Sequence, residues 1–81
     1  MRVKVRLFAR LKDLAGAAEF EQQVPEPATV RTVWEAVTDT RPALREYEKA
    51  MSVAVNTEYA RMSAPVSDGD EVAFLPPVSG G

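Results

Sequence analysis

The residues best suited to chemistry stand at the end of the chain, in Pro76-Pro77-Val78-Ser79-Gly80-Gly81. Glycine is costly to order and brings no side chain to pack, so a purely structural segment gains nothing from a Gly-Gly end. At an average glycine usage of about 7%, roughly one chain in 200 would end this way by chance. Such a segment suits delivery of a terminal carboxyl group into a narrow site on another protein. Two prolines stiffen the exit, and the last two residues lack the Cβ that would block a close-fitting channel. Fully extended, Val78 to Gly81 reach about 13–14 Å beyond the prolines. An α-carboxyl with a usual pKa of about 3.3–3.7 is ionised at neutral pH and is a poor electrophile. It needs activation, most simply as an acyl-adenylate made from ATP by a partner enzyme. The chain would then carry cargo, with the catalysis supplied elsewhere.

Exclusions sharpen this reading. The 81 residues contain no histidine and no cysteine. The commonest acid–base group near neutral pH is therefore missing, as is every thiolate ligand. No Ser-His or Cys-His nucleophile can be built. The four glycines, Gly16, Gly69, Gly80 and Gly81, form no phosphate-binding loop. Asp68 and Asp70 lack the remainder of a calcium-loop pattern and read as turn residues. Glu46 and Glu48 fall on what should be an exposed helix face. The expectation is a domain with no catalytic residues, no metal and no bound cofactor.

The elements that must position the tail follow from periodicity. Val3, Val5 and Leu7 alternate with Arg2, Lys4, Arg6 and Phe8, so the first segment is a half-buried strand with Phe8 on the charged side. Leu11, Leu14 and Ala15 have helical spacing, and Gly16 suits the left-handed residue that closes a short helix. Glu19 to Val24 alternates again, and Pro25 and Pro27 end that strand. Thr29 is placed to cap the main helix. Val30, Val33, Trp34 and Val37 then form its apolar stripe, with Trp34 assigned to the core. Three of those four are β-branched, so packing rather than propensity must hold the helix. Pro42 ends it or begins a second short piece, 43–49.

Met51 to Asn56 reads as a strand with Val53 and Val55 inward, followed by a turn and a short edge strand, 59–62. Ser67-Asp68-Gly69-Asp70 is a turn with Gly69 supplying positive φ, and Glu71 to Leu75 is the last strand. The class is α+β, a mixed sheet of about five strands with one main helix packed across it. Residues 1–77 form one domain and 78–81 a flexible tail. If the first and last strands are neighbours, alternation brings Phe8, Ala73 and Leu75 together on the sheet face away from the helix. A contiguous apolar patch of this kind marks a partner site.

Composition agrees with a soluble domain, 46% hydrophobic and 27% charged. The formal charge of −2 leaves no excess of cations for nucleic acid. Arg2, Lys4, Arg6, Arg10 and Lys12 form the one basic cluster, read as a solvated face or as a docking surface for an acidic partner. No apolar run suits a signal peptide or a membrane span. A soluble, cytoplasmic chain is expected.

The stretch Asp68-Gly69-Asp70-Glu71-Val72-Ala73-Phe74-Leu75-Pro76-Pro77-Val78-Ser79-Gly80-Gly81 resembles the C-terminus of the small subunit of molybdopterin synthase, a ubiquitin-like sulfur carrier family. Val5-Arg6-Leu7-Phe8-Ala9, Leu14-Ala15-Gly16 and Ala54-Val55-Asn56 extend the likeness along the chain. The resemblance implies a β-grasp fold, as in ubiquitin. It implies that an ATP-using adenylating enzyme of the ubiquitin-activating type forms a glycyl adenylate on Gly81. A sulfurtransferase donor then converts it to a thiocarboxylate, a C-terminal 1-thioglycine. Val78, Ser79 and Gly80 insert the end into the large catalytic subunit, two carriers flanking a dimer of large subunits. Sulfur passes there to cyclic pyranopterin monophosphate, building the dithiolene of molybdopterin. The implied partner surface takes in Phe8 and Leu75, with Ala73 and Phe74 beside them. Rival readings are a sulfur carrier for thiamine thiazole or tRNA thiolation, a ubiquitin-like modifier of lysines, and a binding module with an idle tail. The Phe74-Leu75-Pro76-Pro77-Val78 approach favours the molybdopterin type over the thiazole type.

Overall fold

Alternation in the first segment reappears as β1 (Arg2–Leu7), in which Val3, Val5 and Leu7 are buried while Arg2 and Lys4 remain exposed. The computed structural model describes residues 1–77. Phe8 is extended and hands the chain to a short helix, α1 (Ala9–Ala15), closed by Gly16 in the left-handed region at φ 76°. Of the three apolar residues spaced for α1, Leu11 is fully buried and Ala15 packs partly against the core. Leu14 stays 36% exposed, at the edge of the stripe that Leu11 and Ala15 turn toward the core.

Strand β2 (Glu19–Gln23) returns antiparallel to β1, and Ala28–Thr29 (β3) leads into α2 (Val30–Thr40). Thr29 caps that helix as expected. Its hydroxyl accepts from the Thr32 amide at 3.4 Å, and its own amide donates to Thr32 Oγ1 at 3.1 Å. This reciprocal arrangement satisfies amides that the helix itself leaves unpaired. The next two, on Val30 and Arg31, donate to the carbonyls of Ala64 and Met62. Val30, Val33, Trp34 and Val37 are all buried, together with Thr38, whose hydroxyl donates to the Trp34 carbonyl at 3.0 Å. A 3₁₀ helix, Pro42–Tyr47, follows with Pro42 at its start and Leu44 buried.

Strands β4 (Ser52–Val55) and β5 (Glu58–Ala60) form a hairpin through Asn56 and Thr57, both at positive φ, 50° and 73°. Such turns match the twist of the flanking strands. A two-residue strand, β6 (Pro65–Val66), pairs with β3, and β7 (Glu71–Leu75) ends the described fold. The β3–β6 ladder was not legible in the sequence, since two residues carry no period. The main sheet has the order β2-β1-β7-β4-β5. The last strand is therefore central, parallel to β1 and antiparallel to β4. Side chains from α2 and from the inner faces of β1, β4 and β7 share one core, where the Trp34 and Phe74 rings lie 4.9 Å apart.

Candidate functional site

Val78, Ser79, Gly80 and Gly81 lie outside the described residues, but the structure defines where they begin. Because β7 is the middle strand, bonded to β1 on one side and to β4 on the other, the chain leaves from the centre of the sheet. Leu75, its last residue, is opposite Ser52 of β4. Pro76 is half-buried and Pro77 exposed.

Beside this exit, the parallel register pairs Arg6 with Ala73 and Leu7 with Phe74. Continued by one residue, it sets Phe8 beside Leu75. Partners across a ladder share a face, so Ala73 lies with Arg6 on the side away from α2. Phe8 and Leu75 fall on that side by alternation, and Phe8, Ala73 and Leu75 are all half-buried. Ala54, opposite Ala73, and Tyr59, opposite Ala54, extend this surface across β4 and β5. Tyr59 is 83% exposed. Sequence reasoning placed Tyr59 on an edge strand but did not join it to the patch, because the register between β4 and β5 was unknown.

Phe74 is a correction. It is fully buried against Trp34 beneath the sheet, so its side chain is core and does not belong to this surface. Strand alternation requires as much once Ala73 and Leu75 face outward. The 3₁₀ segment packs on α1 and α2, the inner side, and leaves the outer face uncovered.

The charged half of the outer face resolves the basic cluster. Arg2 pairs with Glu21 at 3.6 Å and Lys4 with Glu19 at 3.9 Å. Arg6 lies between Glu19, at 3.8 Å, and Glu71, at 3.6 Å. Antiparallel pairing of β1 with β2 brings Glu19 and Glu21 to these cations, and the parallel pairing with β7 brings Glu71. All are solvated pairs of small individual worth. Arg10 and Lys12 stand apart on α1 and are exposed. At the other end of the sheet, Asp68 accepts from the Arg2 amide and Asp70 from the Ser67 amide and Asn56 Nδ2. Both aspartates do the turn work assigned to them. Glu46 is exposed, whereas Glu48 is engaged: it accepts from Trp34 Nε1 at 2.9 Å and pairs with Arg31 at 3.4 Å.

Among the described residues, no group of three or more acidic side chains is gathered to hold a metal ion. Every buried side-chain nitrogen or oxygen among them has a hydrogen-bond partner. No described helix is long and apolar enough to cross a membrane. The described surface carries a half-buried apolar patch beside the central strand from which the C-terminal segment leaves.

A mixed five-stranded sheet crossed by one helix, with its C-terminal strand at the centre, is the ubiquitin-like β-grasp class. The chain belongs to the ThiS family, whose model matches residues 5–81. It is 38% identical over 81 residues to the molybdopterin synthase sulfur carrier subunit of Escherichia coli, covering 98% of this chain and 99% of that protein. Among solved structures, SAMP1 of Haloferax volcanii, a small archaeal modifier protein, is similar with a TM-score of 0.87 and 31% identity over the whole of both chains. A protein–protein complex of subunits 1 and 2 of the molybdopterin-converting factor of Helicobacter pylori contains a chain with a TM-score of 0.70. That chain is 27% identical, again over the full length of both.

Proposed function

We propose that this chain is the sulfur carrier subunit of molybdopterin synthase, a donor without catalytic residues of its own. The observation that carries this reading is the family match, which spans residues 5–81 and so takes in Gly80-Gly81. The full-length likeness to the carrier of Escherichia coli supports the same cargo.

The Gly81 carboxylate attacks the α-phosphorus of ATP on an adenylating enzyme of the ubiquitin-activating type. Pyrophosphate leaves, and a glycyl adenylate forms. The terminal sulfur of a sulfurtransferase persulfide displaces AMP to give an acyl disulfide. A second thiol reduces that disulfide, releasing the thiocarboxylate and leaving a disulfide on the donor. Val78, Ser79 and Gly80 pass this end into the large catalytic subunit, in an assembly of two small and two large subunits. There the sulfur is transferred to cyclic pyranopterin monophosphate. Fixed in the middle of the sheet, β7 gives the tail a defined origin, which reduces the orientational entropy lost on insertion. Phe8, Ala73 and Leu75, with Ala54 and Tyr59, form the docking face. Neither nucleic acid nor membrane takes part, and the work belongs in the cytoplasm, where ATP is available.

Intact mass after incubation with the adenylating enzyme, ATP and a sulfur donor tests the carrier role. The expected gain is that of one oxygen exchanged for one sulfur, followed by delivery of that sulfur to the pyranopterin when the large subunit is added. An unchanged mass with demonstrably active enzyme would sink the proposal. A second reading, attachment through Gly81 to lysines of other proteins, is favoured by the likeness to SAMP1. Adducts of higher mass, formed in place of the thiocarboxylate, would select it.

A further inference from the structure

Arg6 stands at the boundary between the charged and apolar halves of the outer face. Its guanidinium lies 5.2 Å from the centre of the Phe8 ring, within the range of a cation–π contact. In the ladder its neighbours are Glu19 on β2 and Ala73 on β7. Glu19 and Glu71 flank it at 3.8 and 3.6 Å. Both distances exceed hydrogen-bond range, so the carboxylates orient the charge without consuming its donors. A guanidinium has five N–H groups in a fixed fork. Here the fork is held in place by the ring and by two carboxylates, and it borders Phe8 and Ala73.

We infer that Arg6 is a specificity-determining residue of the docking face, donating to an uncharged carbonyl oxygen on the protein that receives the tail. The inference rests on the proposed carrier function and names the chemistry of that partner's contact surface: apolar opposite Phe8, Ala73 and Leu75, with a backbone or amide carbonyl opposite Arg6. Charge decides between a carbonyl and a carboxylate. The outer face carries three cations, Arg2, Lys4 and Arg6, against three carboxylates, Glu19, Glu21 and Glu71. Its charge is already balanced. A partner carboxylate brought to Arg6 would also meet Glu19 and Glu71, and their repulsion would offset the attraction. A neutral acceptor uses the free donors without that opposition. Arginine is also among the residue types enriched at the hot spots of protein interfaces.

The test is calorimetric titration of the full-length carrier with the large subunit of molybdopterin synthase from the same organism. Wild type, Arg6→Ala, Arg6→Gln and Phe8→Ala are compared, each first shown to be folded by circular dichroism. Arg6→Ala should raise Kd about tenfold, the usual effect of losing hydrogen bonds from a charged donor. Arg6→Gln keeps an N–H donor without charge and should recover part of that loss. Wild-type Kd should change by less than about threefold between roughly 0.05 and 0.5 M salt. A steep salt dependence that Arg6→Ala abolishes would assign a carboxylate partner and overturn the inference. Unchanged binding by both Arg6 variants, with Phe8→Ala weakened, would remove Arg6 from the interface while leaving the docking face intact. Unchanged binding by all three variants would place docking on another face, and the inference would fall with that part of the functional reading.

Discussion

Phe74 and Leu75 are adjacent, yet the structure assigns them opposite roles, and truncating each to alanine should separate those roles. Phe74 is fully buried and packs 4.9 Å from Trp34, with the ring planes inclined at 48°. Burying a phenylalanine is worth about 1.5–3 kcal/mol by area transfer. The lost aromatic pair adds about 0.5–1.5 kcal/mol. With the cavity left under the sheet, Phe74→Ala should cost about 3–5 kcal/mol. In a domain of this size each kcal/mol moves Tm by about 4–8 °C, so the melting temperature should fall by at least about 12 °C. Leu75 is only half-buried on the outer face, so Leu75→Ala should cost about 1 kcal/mol or less. Urea unfolding followed by far-UV circular dichroism measures both. Trp34, the single tryptophan, reports the same transition by fluorescence from beside the altered site. Should Phe74→Ala leave little room for a folded baseline, Phe74→Leu at about 1–2 kcal/mol keeps the comparison measurable. A loss below about 1 kcal/mol in Phe74→Ala, accompanied by weakened partner binding, would refute the assignment. It would mean that β7 is displaced by one residue and that every side chain on it has changed face.

Four further outcomes are expected. Glu48→Leu removes the acceptor for Trp34 Nε1, held at 2.9 Å, and should destabilise the fold by about 1–2 kcal/mol. Glu48→Gln keeps an acceptor and should lie near wild type, with Trp34 emission reporting the difference. Thr29→Ala removes the hydroxyl that caps α2 and should cost about 1 kcal/mol in urea unfolding. Thr57→Gly relieves a β-branched residue held at φ 73° and should stabilise the fold by about 0.5–1 kcal/mol, seen as a raised Tm. One residue appended after Gly81 should abolish sulfur transfer in the reconstituted assay while leaving Tm unchanged; a lowered Tm with transfer intact would contradict the carrier mechanism.

Much of this architecture was readable in the chain because local periodicity is a one-dimensional property. The inward set Val3, Val5 and Leu7, the stripe Val30, Val33, Trp34 and Val37, and the turns at Gly16 and Gly69 each follow from a few neighbouring residues. So did the side on which Phe8, Ala73 and Leu75 would lie. The Gly-Gly end, with the chemistry that histidine and cysteine would have brought excluded by their absence, also belonged to the sequence alone.

Tertiary structure decided which faces became neighbours. A period of two assigns a residue to a side of its own strand but says nothing about which strand lies alongside. Only the parallel pairing of β1 with β7 brings Phe8 beside Leu75. The further pairings with β4 and β5 add Ala54 and Tyr59. Phe74, grouped with the docking face by resemblance, goes to the core because the helix lies on its side of the sheet. A basic cluster in sequence becomes a balanced ladder in space, since β2 sets Glu19 and Glu21 against the cations of β1. Glu48, expected to be idle on an exposed face, meets Trp34 from fourteen residues away. Each of these depends on contacts between segments distant in the chain, and their register is set when the apolar faces close on one core.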